Sequence, residues 1–267
     1  MNLKTLILAP LLGLCLSNAF AQQKLRTPAE EKELADALVK VQRAAERGHV
    51  RSMVDLGRAY LMGAGGYAQD YAKAATWYLK AAELGDAEAQ NEVGELYDEG
   101  NGFLQDYKKA HYWYEKAAAQ GNAWAMYNLG NIYWVGERGF PADVVKARTY
   151  FERAAANYNS TAFWALGAIY FHADGVKKDI GKAKDYWERG AKLRCALSAR
   201  SLGVLYRDGM GVKRDAVTAL MWFRIAAKRN LKIAVADRDA LEKSLSKEQV
   251  ERAKGLEAAW VAQLERK

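Results

Sequence analysis

The sequence predicts an all-α protein built from stacked helix–turn–helix repeats. Nearly the same pattern occurs five times in the 267 residues, and its central glycine recurs at steps of 37, 36, 37 and 36 residues. A tyrosine follows each glycine three residues later, and an aspartate opens the second half of every copy. A period of this length is typical of stacked supersecondary structures, and no alternating strand pattern competes with it. The five glycines are Gly57, Gly94, Gly130, Gly167 and Gly203.

Residues 1–21 have the features of a secretory signal peptide. A positively charged start precedes an apolar run over residues 6–16, and small residues allow cleavage after Ala21. The run is too short to span a bilayer, and the bulky leucine before Cys15 does not suit a lipoprotein signal. We therefore expect a periplasmic protein without a transmembrane segment. Because only Cys195 remains after cleavage, we also expect no intramolecular disulfide.

Residues 22–48 are predicted to form an N-terminal capping helix. Thr27 and Glu30 make a capping box, and Pro28 occupies the first helical position. An apolar stripe then runs to Gly48 through Leu34, Leu38, Val41 and Ala45.

The five repeats are predicted over residues 49–230, each with a helix A, a glycine turn and a helix B. In the second repeat, apolar residues recur at three- and four-residue spacing in both helices, so each helix has one apolar face. Gly100 and Gly102 favour a left-handed turn after helix A, and Asp106 is a suitable N-cap for helix B. The predicted bounds are 49–85, 86–121, 122–158, 159–194 and 195–230.

The glycine inside helix A needs a structural reason, because glycine costs about 1 kcal/mol relative to alanine within a helix. We expect Gly94 and its equivalents to let helix A lie directly against helix B, next to the small residues Ala117 and Ala118. No repeat of this kind can bury its apolar face alone, so stacking of the repeats supplies the stability.

Residues 231–267 are predicted to form C-terminal capping helices. One helix is expected from about Leu231 to Leu245, and Ser246 with Gln249 makes the capping box of a second. A terminal cap needs a polar outer face, which charged residues of the second helix provide. Its predicted buried stripe consists of Val250, Ala253, Leu256, Trp260 and Leu264.

Taken together, the repeats follow the pattern A-x-x-x-L-G-x-x-Y-x-x-G-x-G-x-x-x-D-x-x-K-A-x-x-W-x-x-K-A-A-x-x-G. This pattern resembles the Sel1-like repeat, a relative of the tetratricopeptide repeat, and covers most of the chain. The resemblance implies a right-handed α-solenoid with helix A on its concave face. The copies depart from the pattern in the third and fourth repeats, where the exact helix ends stay open. The departures are Tyr150, Tyr158, Ala173 and Arg194.

The resemblance also implies a non-enzymatic protein that binds other proteins. Some secreted Sel1-like proteins are immunity proteins that capture phospholipase-like or other toxins delivered by type VI secretion. Others are scaffolds or signalling adaptors in envelope or exopolysaccharide assembly. The compact arrangement of cap, five repeats and cap favours the immunity hypothesis, with the scaffold as the alternative. A β-lactamase-like hydrolase is a remote alternative, because the sequence shows no nucleophile–base constellation.

Composition and motifs argue against catalysis, a metal, a cofactor and nucleic acid. The three histidines lie in different repeats, and no His or Cys pair has the spacing of a metal site. His111 is expected to be a helix-surface residue. The glycine turns follow helices rather than strands and lack the lysine of a phosphate loop. The net charge of +8 is spread over every repeat, which favours an acidic protein, an anionic envelope surface or no specific partner.

A partner-binding groove is predicted on helix A, at positions −3, +1 and +4 relative to each repeat glycine. These positions share one arc of the helix, roughly 130–140° from the arc of the repeated residues. They predict an aromatic centre between an acidic and a basic shoulder, and aromatic and Arg residues dominate interface centres. Two alternatives stay open: the aromatic residues pack between repeats, or the partner binds the A–B turns. The predicted groove residues are Arg58, Asn91, Glu95, Asp98, Tyr127, Asn131, Trp134, Trp164, Phe171, Arg200 and Arg207.

Overall fold

The computed structural model describes residue 36 and residues 39–64, 67–136 and 139–266. Within these ranges the structure is helical and contains no strand. The predicted signal peptide and the N-terminal capping box lie outside the described residues. After a helical stretch at residues 39–46, the helices are α1 (Val50–Met62), α2 (Tyr71–Glu83), α3 (Ala87–Glu99), α4 (Tyr107–Ala119), α5 (Ala123–Val135), α6 (Val144–Ala156), α7 (Ser160–His172), α8 (Ile180–Lys192), α9 (Ala196–Asp208), α10 (Ala216–Ala227), α11 (Lys232–Glu242) and α12 (Lys247–Glu265).

In the first, second, fourth and fifth repeats the helices pair as the sequence predicts. Helix α1 packs on α2, α3 on α4, α7 on α8 and α9 on α10, so helix A and helix B of each of these repeats lie side by side. The chain forms two compact units, the first ending at Asp143 and the second beginning at Val144. Each unit has its own buried apolar residues. Examples are Val54, Leu56, Tyr78, Val93 and Leu96 in the first, and Leu166, Ile169, Leu202, Leu205 and Phe223 in the second.

The helix ends follow the predicted turn chemistry. The Asp106 carboxylate accepts hydrogen bonds from the backbone N–H groups of Lys108 and Lys109 at the start of α4. Gly100 ends α3 in the left-handed conformation, with φ of 75°. Ala173 stands in the same place after α7 and also adopts this conformation, with φ of 60°. Helix α7 therefore ends at the expected position although the turn glycine is replaced. The left-handed conformation of Ala173 costs about 1 kcal/mol because alanine has a Cβ.

Gly94 allows the close helix approach that the sequence predicts, but the contact is with a different residue. A Cβ at this position would lie 2.6 Å from the ring of Tyr114 on α4, far inside van der Waals distance. The glycines of the first, fourth and fifth repeats also face an aromatic ring of their helix B. The residue that needs the space is thus an aromatic ring rather than Ala117 or Ala118.

Aromatic residues of the A–B turns pack onto helices of their own repeat or of the preceding one. Phe103 stacks on Tyr97 of the same repeat with the ring centroids 4.2 Å apart. Phe140 of the third repeat stacks on His111 of α4 in the second repeat at 4.4 Å, and the His111 Nε2 lies 3.0 Å from the Tyr133 hydroxyl oxygen. His111 is therefore a partly buried contact between two repeats rather than a simple surface residue. The turn aromatics act as plugs, which leaves them less available to a partner.

The C-terminal helices begin as predicted but bury a different residue. Ser246 and Gln249 form both hydrogen bonds of the capping box at the start of α12. The predicted stripe placed Leu256 in the core, yet Leu256 is 38% exposed and Glu257 is only 3% exposed.

Two cations at the C-terminal end of α10, Arg224 in its last turn and Lys228 just after it, explain why a carboxylate can be buried there. The Arg224 Nε lies 2.8 Å from the Glu257 Oε2, and the Lys228 Nζ lies 2.5 Å from the Oε1. Burial alone would raise the pKa of Glu257, but these charge-assisted hydrogen bonds outweigh burial and lower the pKa. The sequence pattern missed this ion pair because it assigns polar residues to the outside of a cap.

Candidate protein-binding surface

The acidic shoulder of the predicted groove is a polar cluster in the first compact unit. Asn91 on α3 donates a hydrogen bond to Glu95 one turn later, with Nδ2 and Oε1 3.1 Å apart. Asn128 on α5 donates from its Nδ2 to the Asn91 Oδ1 and to the Glu95 Oε1, each at 3.3 Å. Both amide side chains are buried. The cluster therefore connects the second and third repeats and holds the Glu95 carboxyl group in place.

Four glutamates lie along one side of α3, at the helical spacing i, i+4, i+7 and i+11. Two arginines of α1 bind the first of them: the Arg51 Nη1 lies 2.7 Å from the Glu88 Oε2, and the Arg58 guanidinium pairs with the Oε1. The next two glutamates have no ion-pair partner among the residues that the structure describes. The four residues are Glu88, Glu92, Glu95 and Glu99.

The pKa values of the Glu92 and Glu95 carboxyl groups are raised above the usual range of a glutamate. Burial, together with repulsion from Glu95 and Glu88, raises the pKa of Glu92 to about 8, and Arg58 offsets this only in part. Burial also raises the pKa of Glu95 to about 7, although the hydrogen bonds from the two asparagine amides act in the opposite direction. The fold therefore disfavours the charged forms of both carboxyl groups, and this side of α3 becomes more negative as the pH rises.

Asn131 adds a buried acceptor next to this cluster. It follows Asn128 by three residues on α5, so the two side chains lie one helical turn apart on the same side. The Asn131 side chain is 9% exposed, and its Oδ1 accepts no hydrogen bond from the residues that the structure describes. A buried polar atom without a partner is unfavourable. This oxygen is therefore a local cost to the stability of the third repeat.

The predicted aromatic centre offers little surface to a partner. Tyr127, Trp134 and Trp164 are 5%, 4% and 7% exposed. Phe171 is half-buried, and its ring centroid lies 5.5 Å from that of Trp187 on α8. The physical reason is that α5 and α7 are apolar around most of their circumference, and such helices are buried on more than one side.

The basic shoulder belongs to the second compact unit, and both of its arginines are paired. The Arg200 Nε lies 2.6 Å from the Asp237 Oδ2 on α11. Arg207 donates from Nε and Nη2 to the two carboxylate oxygens of Asp208, each at 2.7 Å. These pairs neutralise the positive charge that the sequence predicts for this part of the surface.

The residues of these clusters that are absent from the predicted groove include Glu92, Asn128 and Asp237. Glu92 and Asn128 both lie two residues before their repeat glycine, a position that the predicted stripe does not include. The helical spacing of the glutamates along α3 was a signal that could have found Glu92. Asp237 lies in the C-terminal cap, where no repeat pattern indicates its partner.

The chemistry available on this surface is hydrogen-bond acceptance and negative charge. Among the described residues, no group of three or more His, Cys, Asp or Glu side chains is placed to hold a metal ion. In the same part of the chain, no helix has both the length and the apolar character needed to cross a membrane.

The sequence profile of the Sel1 repeat matches the chain five times, over residues 50–86, 87–122, 125–159, 162–195 and 196–231. The chain belongs to the Sel1 repeat family. Its fold class is the all-α repeat solenoid that the sequence predicts, and Sel1 repeats mediate protein–protein interactions.

Solved structures with the same fold include other Sel1 repeat proteins. A Sel1 repeat protein from Oxalobacter formigenes is 27% identical, with a TM-score of 0.71 over 87% of this chain and 99% of that chain. An immunity protein from Pseudomonas aeruginosa is 19% identical, with a TM-score of 0.53 over 73% of this chain and 74% of its own. A second immunity protein from that organism is 17% identical, with a TM-score of 0.51 over 78% and 83%. The comparison with curated proteins finds no significant match.

Proposed function

We propose that this Sel1 repeat protein is a non-enzymatic periplasmic protein whose acidic helix-A surface binds a partner protein. The observation that carries the proposal is the set of unsatisfied groups on that surface. Glu92 and Glu95 have no ion-pair partner in the described part of the chain. Such groups are stabilised when a partner of complementary charge covers them. The periplasmic location rests on the signal-peptide features of residues 1–21.

The most specific form of the proposal is an immunity protein that inhibits a secreted toxin, such as a phospholipase-like effector of type VI secretion. Two solved structures that share the fold are named immunity proteins. At 19% and 17% identity this likeness concerns the fold, so the toxin has to be identified by experiment.

The experiment is purification of the tagged full-length protein from the periplasm, followed by mass spectrometry of the bound proteins. Glu95→Gln removes a charge from the acidic surface, and Glu83→Gln makes the same change at an exposed position at the end of α2. We expect one dominant partner with a toxin domain, retained by the Glu83→Gln variant and lost by the Glu95→Gln variant. Co-expression with that toxin should then protect cells.

Other outcomes separate the parts of this proposal. Weak recovery of several envelope proteins would point to a scaffold instead of an inhibitor. Equal recovery of a partner by both variants would refute the acidic surface as its binding site. A mature protein in the cytoplasmic fraction with an intact N-terminus would refute the periplasmic location.

A further inference from the structure

We propose that a basic surface of the second compact unit binds the surface of a membrane that contains anionic phospholipids. The inference goes beyond the binding of a partner protein and does not rest on it, because it concerns other helices. The residues occupy the turns that follow α6, α8 and α10, where a helix B ends and the next helix begins. This basic turn surface consists of Tyr158, Lys192, Leu193, Arg194, Lys232 and Ile233.

The three turns lie beside one another along one edge of the unit. The Arg189 guanidinium group, near the end of α8, lies over the ring of Phe163 near the start of α7, with its central carbon 4.6 Å from the ring centroid. The Arg229 Nη1, just after α10, lies 3.4 Å from the carbonyl oxygen of Ala191 in the last turn of α8. The turn after α8 is therefore in contact with the turns on both sides of it.

The exposed charge on this edge is positive. Residues 189–200 and 224–236, which contain the last two of these turns, include no aspartate or glutamate. Lys192, Arg194 and Lys232 are exposed, and none of them forms an ion pair with a residue that the structure describes. The protein therefore presents cations here that no described carboxylate neutralises.

The helix dipole alone does not account for these cations. A basic residue at the C-terminal end of a helix is favourable, but the equivalent turns of the first unit contain Glu83 and Asp86 after α2 and Gln120 after α4. In the second unit the charges are close enough to repel one another, because burial lowers the pKa of Arg229 and repulsion from Arg194 acts in the same direction. An anionic surface would relieve this repulsion.

Apolar side chains protrude from the same turns, and they favour a membrane over an acidic protein. Tyr158, Ile233 and Leu193 are 80%, 51% and 37% exposed. Leu193 lies between two of the cations in the sequence, and Ile233 follows the third. An acidic polypeptide would neutralise the cations without covering these side chains. The interface of an anionic bilayer accommodates both, since apolar groups enter the headgroup region while Lys and Arg remain near the phosphates.

The test is co-sedimentation of the mature chain, residues 22–267, with lipid vesicles. One set of vesicles contains phosphatidylcholine mixed with phosphatidylglycerol, and the other contains phosphatidylcholine alone. Omitting residues 1–21 removes their apolar run from the measurement. We expect binding to the anionic vesicles only, and we expect it to weaken as the salt concentration rises because salt screens exposed charges.

Removal of the three cations should abolish most of this binding. Each Lys or Arg near an anionic surface contributes about a fivefold change in affinity, so the combined variant Lys192→Gln, Arg194→Gln and Lys232→Gln should bind about a hundredfold more weakly. Circular dichroism and thermal unfolding check that the variant is folded. If it is not, the single change Lys192→Gln should give about a fivefold loss.

Two further variants separate the site from net charge and the membrane from other anions. The combined change Lys177→Gln, Lys213→Gln and Lys247→Gln removes the same charge from exposed positions at the A–B turns of this unit, and it should retain most of the binding. The pair Tyr158→Asn and Ile233→Ser leaves the charge unchanged and should weaken binding by about tenfold, because less apolar surface enters the interface.

Three results would overturn the inference: no binding to the anionic vesicles, an equal loss of binding in the two triple variants, or unchanged binding in the variant that lacks the apolar side chains. Soluble polyglutamate serves as the competing ligand. A chain that binds polyglutamate but not the anionic vesicles would identify an acidic protein, rather than a membrane, as the partner of this surface.

Discussion

Glu95→Gln is expected to stabilise the protein above neutral pH and to have little effect in mild acid. Because the pKa of Glu95 is raised from an ordinary 4.5 to about 7, the folded protein holds this proton more tightly than the unfolded chain does. The resulting stability is fully present below about pH 4.5 and is lost as the pH rises through about 7. Glutamine cannot ionise, and its side-chain oxygen can still accept the hydrogen bonds from the two asparagines.

The size of the effect follows from the pKa difference. A change from 4.5 to about 7 corresponds to about 3 kcal/mol in the free energy of unfolding, and part of it is shared with the neighbouring Glu92. The measurement is urea-induced unfolding followed by circular dichroism at pH 5, 7 and 9. We expect wild type and Glu95→Gln to agree at pH 5 and the variant to be more stable by a few kcal/mol at pH 9.

The control for this experiment is Glu83→Gln, which removes the same charge from an exposed position at the end of α2. Its stability should vary with pH as that of wild type does. Parallel pH profiles for wild type and Glu95→Gln would show that the carboxyl group is not disfavoured in the folded state, and the inference that burial raises its pKa would then be wrong.

Three further predictions concern stability and can be checked by thermal or urea unfolding. Glu257→Ala should lower the free energy of unfolding by about 3 kcal/mol because it leaves two cations at the C-terminal end of α10 without their buried partner. Because the pKa of Glu257 is lowered in the folded protein, this contribution should be lost in wild type as the pH falls below the ordinary range of a glutamate. Ala173→Gly should stabilise the protein by about 1 kcal/mol by relieving a left-handed residue, whereas Gly209→Ala should cost a similar amount at the equivalent turn. Gly94→Ala should cost about 1–3 kcal/mol by overpacking against an aromatic ring, whereas Gly255→Ala, with open space around its Cβ, should stabilise α12 by about 1 kcal/mol.

The candidate surface shows where sequence reasoning reached its limit. The groove stripe located Glu95 from helical geometry alone, and the structure places Glu95 in a hydrogen-bonded cluster with Asn91 and Asn128. The same stripe included Trp134 and Trp164, which the structure buries. The geometry of a single helix predicts which residues share a side, but it does not predict whether a neighbouring helix covers that side.

Charge pairing could not be predicted for a similar reason. Arg200 and Arg207 were expected to form an exposed basic region, yet an aspartate of the C-terminal cap binds the first of them at 2.6 Å. That cap lies outside the repeats, so no periodic pattern relates Asp237 to Arg200. The buried Glu257 escaped prediction on the same grounds.

The sequence by itself determined the repeat period, the all-α class, the capping aspartates and the turn positions. These features depend on residues within a few positions of one another, where helical spacing and backbone conformation are enough. Only the tertiary structure decided which carboxyl groups are paired and which acceptors are buried. The Asn128 amide, for example, reaches Asn91 across 37 residues, and the packing of helices from different repeats, rather than any local pattern, brings such pairs together.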